Sequence, residues 1–229
     1  MRPNEMTTPS GEPCRTVCFA DLAGYTALTD AHGDVSAADI AQRFFDLASE
    51  LLTGDARLVK TIGDAVMICT SDPRQGLQIG LDLLHAVERE PQFPGVRVGV
   101  HHGPVVERND DVFGATVNVA ARLTAHASVG QLLTSDTIAS RLTELGHVTT
   151  VSLGPTLLRN VAEPVDVYWV ADHTRGATSQ VLDPVCRMFV DADAAPARLP
   201  WGERIWHFCS FECARSFVND PDRHANDHV

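Results

Sequence analysis

Apolar positions along the chain switch between two periods, and the switches mark alternating strands and helices. Residues 15–20, Arg-Thr-Val-Cys-Phe-Ala, form a short apolar run ending at Asp21 and predict a buried strand. Leu22-Ala-Gly-Tyr-Thr-Ala reads as a glycine-containing turn into a helix. From Ala37 to Leu52 the apolar residues Ile40, Phe44, Leu47, Ala48 and Leu51 recur at helical spacing. Leu58-Val-Lys, Ile62-Gly-Asp and Ala65-Val-Met-Ile-Cys then predict two strands joined by a tight turn. Gln75 to Val87 is an amphipathic helix, Val96 to His101 a strand, and Val117 to Ala127 an Ala-rich helix. Gln131 to Thr134 predicts a strand, with Ser135 as the N-cap of a short helix. His147 to Leu153 and Val165 to Val170 close the series as strands.

The order β-α-β-β-α-β, with additions after it, predicts an α+β fold, a ferredoxin-like α/β sandwich. A polar N-terminus, 1–13, precedes a first domain over 14–172. The polar stretch 173–180 reads as a linker, and 181–223 as a small cysteine-containing C-terminal module before a tail, 224–229. That module is too short to hold a large core alone, so a metal staple would help it.

Composition narrows the function. The 229 residues carry a net charge of −12, which repels phosphate backbones and argues against nucleic acid as a partner. No apolar run approaches the roughly 20 residues of a membrane span, and the polar start has no apolar signal core, so no membrane partner and a cytoplasmic location are expected. Lys60 is the only lysine among 18 basic residues. A lone lysine is either chance or marks a place where a compact ammonium is wanted because the planar guanidinium fork does not fit. Of six cysteines, Cys14, Cys18 and Cys69 lie in or beside apolar runs and read as small core residues. Cys186, Cys209 and Cys213 fall among aromatics and histidines, where clustered thiols bind metal or do redox chemistry.

Two carboxylates stand out in the first domain. Asp21 ends one strand, and Asp64 sits in the turn between two paired strands. Carboxylates at neighbouring strand ends can converge on a hard cation such as Mg²⁺, although a strand-end aspartate alone is usually a cap or turn residue. The N–H groups of Ala23 to Thr26, including Gly24 and Thr26, could hold phosphate oxygens at a helix start. Asn118 and Arg122 are four residues apart, so they share one helix face, which is most often merely a solvated one.

These residues fall in blocks. "FADLAGYTAL", "VKTIGDAVM" and "DDVFGATVNVAARL" resemble, in order, three motif blocks of the class III nucleotidyl cyclases, the adenylate and guanylate cyclases, and "LLRNVAEPVDVYWV" resembles the family's closing strand segment. The likeness runs from about Arg15 to Asp172. It implies that Asp21 and Asp64, with Leu22 beside them, hold two Mg²⁺ or Mn²⁺ ions per site. It implies that Asn118 orients the ribose and that Arg122 stabilises charge on the α-phosphate. Arg159 stands where the family often has a triphosphate-binding lysine, followed by Asn160 where glycine is usual. Lys60 and Asp111 match the two base-selecting positions. A donor beside an acceptor fits the N1 and N6 edge of adenine, and guanine reverses that edge, so ATP is the expected substrate. In the family the site forms between two chains, so the resemblance implies a homodimer with composite active sites. Seven residues separate Gly103 from Asp111, similar to the short dimerisation arm of a bacterial subgroup.

The C-terminal module resembles the small YHS domain, related to TRASH-type metal-binding modules, through Asp183-Pro-Val-Cys186, Phe208-Cys209-Ser, Cys213 and Phe217, with Arg187 where glycine is usual. Cys209 and Cys213, four apart, would share a helix face if the segment is helical, with Cys186 facing them from a loop. Three thiolates suit Zn²⁺ or Cu⁺, with His207, Asp183 or water as a fourth ligand. The alternative is a core of buried cysteines around Trp206, Phe208 and Phe217. The expected activity is that of a homodimeric adenylate cyclase with a metal-sensing or metal-stabilised C-terminal module. The rivals are a guanylate cyclase and a metal-responsive binding protein whose cyclase-like domain only dimerises. No Gly-Gly-Asp/Glu-Glu-Phe block is present, which sets a diguanylate cyclase aside.

Overall fold

The structure, a computed structural model, describes residues 11–142, 146–174 and 179–225. Most of the expected N-terminal segment, half of the linker and most of the C-terminal tail lie outside the described residues. The first part of the chain forms β1 (Cys14–Leu22), α1 (Tyr25–Glu50), β2 (Arg57–Ile62), β3 (Ala65–Thr70), α2 (Pro73–Arg89), β4 (Val96–Pro104), β5 (Val106–Arg108), β6 (Asp111–Phe113), α3 (Ala115–His126), β7 (Leu132–Ser135), α4 (Asp136–Ala139), β8 (Val148–Thr156) and β9 (Val165–Asp172). The C-terminal part adds β10 (Gln180–Leu182), β11 (Phe189–Asp191), β12 (Ala197–Trp201), β13 (Arg204–Phe208), α5 (Phe211–Asn219) and α6 (Pro221–Ala225). The chain divides into two compact units, one of Met1–Asp21, Phe45–His85 and Val96–Arg175, the other of Leu22–Phe44, Ala86–Gly95 and Gly176–Val229.

The first unit is built on a seven-stranded sheet of order β2-β3-β1-β4-β7-β9-β8. Its β2-β3-β1-β4 part is the strand order of the expected ferredoxin-like βαββαβ arrangement, and β7, β9 and β8 extend it past β4. Alternate residues of β1 serve opposite faces. On one face, Gly76 and Gly80 of α2 leave room for Thr16 and Cys18. On the other, Val17 and Phe19 join Met67, Cys69 and Val112 beneath Ala120 of α3. Being covered on both faces, β1 is a continuous apolar run. Gly99 of β4 permits the closest approach of a helix to the sheet. A Cβ there would sit 2.3 Å from the Thr124 nitrogen and 2.5 Å from the Ala120 carbonyl oxygen of α3.

Two details depart from the sequence expectation. Ser135 occupies the N-cap position of α4 but makes no side-chain cap, because its hydroxyl is engaged by Thr137 and by Nδ1 of His101. The helix expected from Ala37 begins much earlier, at Tyr25, but is broken at Gly33 (φ 83°, ψ 162°), a conformation only glycine adopts readily.

In the second unit the C-terminal segment makes two hairpins, β10–β11 and β12–β13, followed by α5 and α6. Phe217 anchors its core, with its ring centroid 5.3 Å from those of both Trp206 and Phe208. That core is not self-contained, since Leu28 and Ala37 of α1 are buried in the same cluster. Residues 93–95 are stitched to it by Phe189 N–H to the Phe93 carbonyl (2.8 Å) and Gly95 N–H to the Arg187 carbonyl (3.1 Å). Arg187 takes the left-handed backbone conformation that favours glycine (φ 63°), at a cost of about 1 kcal/mol. In that conformation the Arg187 N–H bonds the Asp183 carbonyl at 3.0 Å.

Candidate functional site

The β2–β3 hairpin positions the first carboxylate pair. Ile62 pairs with Ala65, leaving a two-residue loop whose first position, Gly63, takes φ 62°. Glycine is the residue for such a position. Asp64 is thereby presented at the strand end, and Asp21 pairs directly with Ala65 on the adjacent strand. The two carboxyls lie within hydrogen-bonding reach of each other, and the Asp21 carboxyl is raised above its ordinary range, first by burial and then by the negative charge of Asp64. Arg97 of β4 partly offsets this by donating from Nη2 to Asp21 Oδ2. Two carboxylates held together against their own repulsion make a site suited to a hard divalent cation.

Lys60 and Asp111, the pair expected to select the base, are brought together as well. Asn109 and Asp110 both take positive φ (51° and 63°), which closes β5 and β6 in a tight hairpin and sets Asp111 immediately after the turn. Arg57 donates from Nη1 to the Asp110 carbonyl at 2.6 Å and holds that turn against β2. Lys60 Nζ then lies 2.7 Å from both Asp111 carboxylate oxygens. The hydrogen bonds from Lys60, and next the Val112 N–H, hold the Asp111 carboxyl below the usual range. The Phe113 ring centroid lies 5.3 Å from the same ammonium.

A cavity of about 370 Å³ is lined by Asp21, Lys60, Asn118, Phe19, Val117 and Ala121, among others. Asn118 and Arg122 lie one turn apart on α3, Asn118 exposed and Arg122 half-buried, and Arg122 is not part of this lining. Arg159 lies exposed in the turn after β8 and is not brought to the cavity either. Asn160 beside it takes φ 62°, so asparagine keeps the glycine-like backbone there. Leu22, buried, ends β1, and Gly24 (φ 71°) and Thr26 open α1 in the second unit. Arg97 is the residue at this site that the sequence reading missed. The signal available was a lone charge between Val96 and Val98 in an otherwise buried strand.

The cysteine cluster lies wholly in the second unit. Cys186 Sγ is 3.4 Å from Cys209 Sγ, which is 3.6 Å from Cys213 Sγ. Cys209 is not on α5, contrary to expectation, because Ser210 is the N-cap and takes the Cys213 N–H on its side chain. The thiols meet because Cys209 directly follows β13, just ahead of the helix that carries Cys213. The fourth side chain beside the thiols is neither His207 nor Asp183. It is His32 of α1, whose Nε2 lies 3.5 Å from Cys209 Sγ and 3.8 Å from Cys213 Sγ. Asp183 is fully buried as an organiser, accepting the N–H groups of Val185 (2.8 Å), Cys186 (3.4 Å) and Cys209 (2.8 Å). His207 lies on β13 outside the cluster. The Cys213 thiol is pushed far below its ordinary value by hydrogen bonds from Cys186 and Cys209, and Cys186 is pushed up correspondingly.

Residues 9–172 match the family described as the adenylate and guanylate cyclase catalytic domain. An adenylate cyclase of Glutamicibacter nicotianae is 40% identical over 129 residues, covering 56% of this chain and 32% of that protein. The pH-sensitive adenylate cyclase MT1302 of Mycobacterium tuberculosis is 36% identical over 166 residues, covering 71% of this chain and 41% of that protein. The chain thus spans less than half the length of these relatives. Among solved structures, a Trypanosoma brucei adenylate cyclase in its monomeric state superposes with a TM-score of 0.61 at 26% identity, covering 69% of this chain and 89% of that one. The adenylyl cyclase CyaB of Pseudomonas aeruginosa superposes with a TM-score of 0.61 at 20% identity, covering 69% and 94%, and supports the fold alone. No described helix is long and apolar enough to cross a membrane.

Proposed function

Because the chain belongs to the adenylate and guanylate cyclase catalytic-domain family, we propose that it converts ATP to 3′,5′-cyclic AMP and pyrophosphate at sites shared between two copies of itself. The observation that carries this reading is the Lys60–Asp111 pair, with both carboxylate oxygens 2.7 Å from the ammonium. It presents a donor and an acceptor side by side, the complement of the adenine edge.

Asp21 and Asp64 would hold two Mg²⁺ or Mn²⁺ ions, and their mutual repulsion fits that task. When bound, the ions lower the pKa of the ribose 3′-hydroxyl and neutralise the triphosphate. Asn118 fixes the ribose so that the 3′-oxygen lies in line with the α-phosphorus, and Arg122 stabilises charge as pyrophosphate leaves. Arg159 and the N–H groups from Gly24 to Thr26 serve the triphosphate, and Leu22 accompanies the metal aspartates. The exposed apolar side chains Ile62, Val106 and Phe113 support a partner copy at this face. A single-chain cleft is the second reading, favoured by the presence of Asp21, Lys60 and Asn118 around one cavity. The C-terminal segment is assigned as a YHS-like module whose cysteines hold metal and regulate the enzyme, and the protein as cytoplasmic.

The test is an assay of the purified protein with ATP or GTP and Mn²⁺ or Mg²⁺, reading the cyclic product. Cyclic AMP is expected from ATP, with loss of turnover in Asp21→Ala and Asp64→Ala proteins that retain native circular dichroism. Cyclic GMP as the preferred product makes the protein a guanylate cyclase. Absence of both products makes the domain a dimerisation device. Near wild-type metal-dependent rates in either variant refute the metal assignment.

A further inference from the structure

We propose that His32, Cys186, Cys209 and Cys213 form one tetrahedral Zn²⁺ site, in which the helix following the first cyclase motif supplies the imidazole. The inference rests on the reading of the three cysteines as ligands and is independent of the cyclase reading.

The donor spacing is that of a coordination shell. Ligands about 2.3 Å (sulfur) and about 2.0 Å (nitrogen) from zinc span sulfur–sulfur edges of about 3.8 Å and sulfur–nitrogen edges of about 3.5 Å in a tetrahedron. Four of the six edges here are 3.4 and 3.6 Å between sulfurs and 3.5 and 3.8 Å from sulfur to Nε2. All four donor atoms lie within 4.8 Å of one another. The three cysteines are free thiols, not a disulfide and a spare.

The surroundings stabilise thiolate charge and fix the ligands. Cys213 sits in the first turn of α5, where the helix dipole favours an anion, and its N–H is held by Ser210 Oγ at 3.1 Å. The Asp183 carboxylate clamps the backbone at both Cys186 and Cys209. Arg187 keeps the turn after Cys186 at the strained φ of 63°. Gly33 breaks α1 directly after His32, so the imidazole sits at the end of a short helical segment whose Leu28 is buried in the same core. Three thiolates and a neutral imidazole leave a bound Zn²⁺ with a net charge of −1. Three sulfurs plus a fourth nitrogen donor suit Zn²⁺, whereas Cu⁺ is selected by soft sulfur ligands.

The full chain is stripped of metal under reducing conditions and titrated with Zn²⁺ against a chromophoric chelator. Co²⁺ is then used as a spectroscopic substitute. One Zn²⁺ per chain is expected. The Co²⁺ form should show thiolate charge transfer together with tetrahedral ligand-field bands. His32→Ala should keep the charge transfer, shift the ligand-field bands and weaken Zn²⁺ binding at least tenfold. His207→Ala should change none of these. X-ray absorption at the zinc edge of the unmutated chain gives a readout that does not depend on any variant folding, and three sulfurs and one nitrogen are expected. No Zn²⁺ uptake overturns both this proposal and the metal reading of the cysteines. Normal uptake with His32→Ala indistinguishable from wild type, or a shell without one nitrogen, overturns the His32 assignment alone.

Discussion

Reversing the Lys60–Asp111 pair tests substrate choice at its source. Lys60→Glu alone would set two carboxylates where an ammonium now lies 2.7 Å from both Asp111 oxygens, so this single variant should lose activity with either nucleotide. Combined with Asp111→Ser, the glutamate becomes an acceptor for the guanine edge and the hydroxyl a small donor. Each contact that fits adenine is then mispaired, and each mispaired group should cost ATP about a factor of ten. The low end of the range applies because the two side chains are 35% and 28% exposed and water compensates part of the loss. Two contacts together give roughly a hundredfold change in the ATP-to-GTP ratio of kcat/KM. Initial rates with each nucleotide and Mn²⁺, with the cyclic products separated by chromatography, measure this ratio. A folded double variant whose ratio stays within twofold of wild type would refute the reasoning and leave Lys60 as the structural partner of the β5–β6 hairpin.

Mixing inactive Asp21→Ala with inactive Arg122→Ala should restore about a quarter of wild-type activity after subunit exchange. Half the dimers are then mixed and each has one intact site of two, because losses within one concerted site are non-additive. No recovery despite demonstrable heterodimers favours the single-chain cleft. Stability should fall on acidification from about pH 6.5 toward pH 4. The folded His101 and His102 are pushed down to about 4, chiefly by burial, so over that window the unfolded chain takes up protons that the folded chain refuses. Near these two rings Asp136 favours His101 protonation and Asp72 that of His102, while Arg141 opposes the latter. Discounted for partial solvent screening, about 1 kcal/mol per histidine should be lost between pH 6 and 5, a fall of a few degrees in melting temperature. A flat melting temperature across that range contradicts the burial argument, and His102→Asn should reduce the slope.

Much of this fold was legible because its strands and helices keep clean periods. The run ending at Asp21, the Gly63 turn and the α3 stripe each carry their structural reason in neighbouring residues. What was illegible depends on distant neighbours. His32 lies 177 positions from Cys209, and nothing in its own helix marks it as a ligand. Arg97 declares its role only when β4 lies beside β1. Cys209 and Cys213 have helical spacing in the sequence, but the N-cap at Ser210 falls between them, and only backbone geometry could show that their thiols still meet. Ser135 carries the right residue type for a cap, yet neighbouring hydroxyl and imidazole groups claim its oxygen.

The missing side chain at Gly99 has a consequence for how sequence changes in this protein are interpreted. The atoms it would strike are the Thr124 nitrogen and the Ala120 carbonyl oxygen, main-chain atoms that cannot swing aside as a side chain would. Those two residues flank Arg122, and Asn118 is one turn away on the same rod. A single methyl at position 99 would therefore lift that rod and carry both groups out of alignment, while every residue proposed to touch substrate stayed unchanged. A damaging substitution here would appear innocuous in an inventory of substrate-touching residues, and suppressors of it would arise as shortened side chains along the opposite edge of the displaced helix.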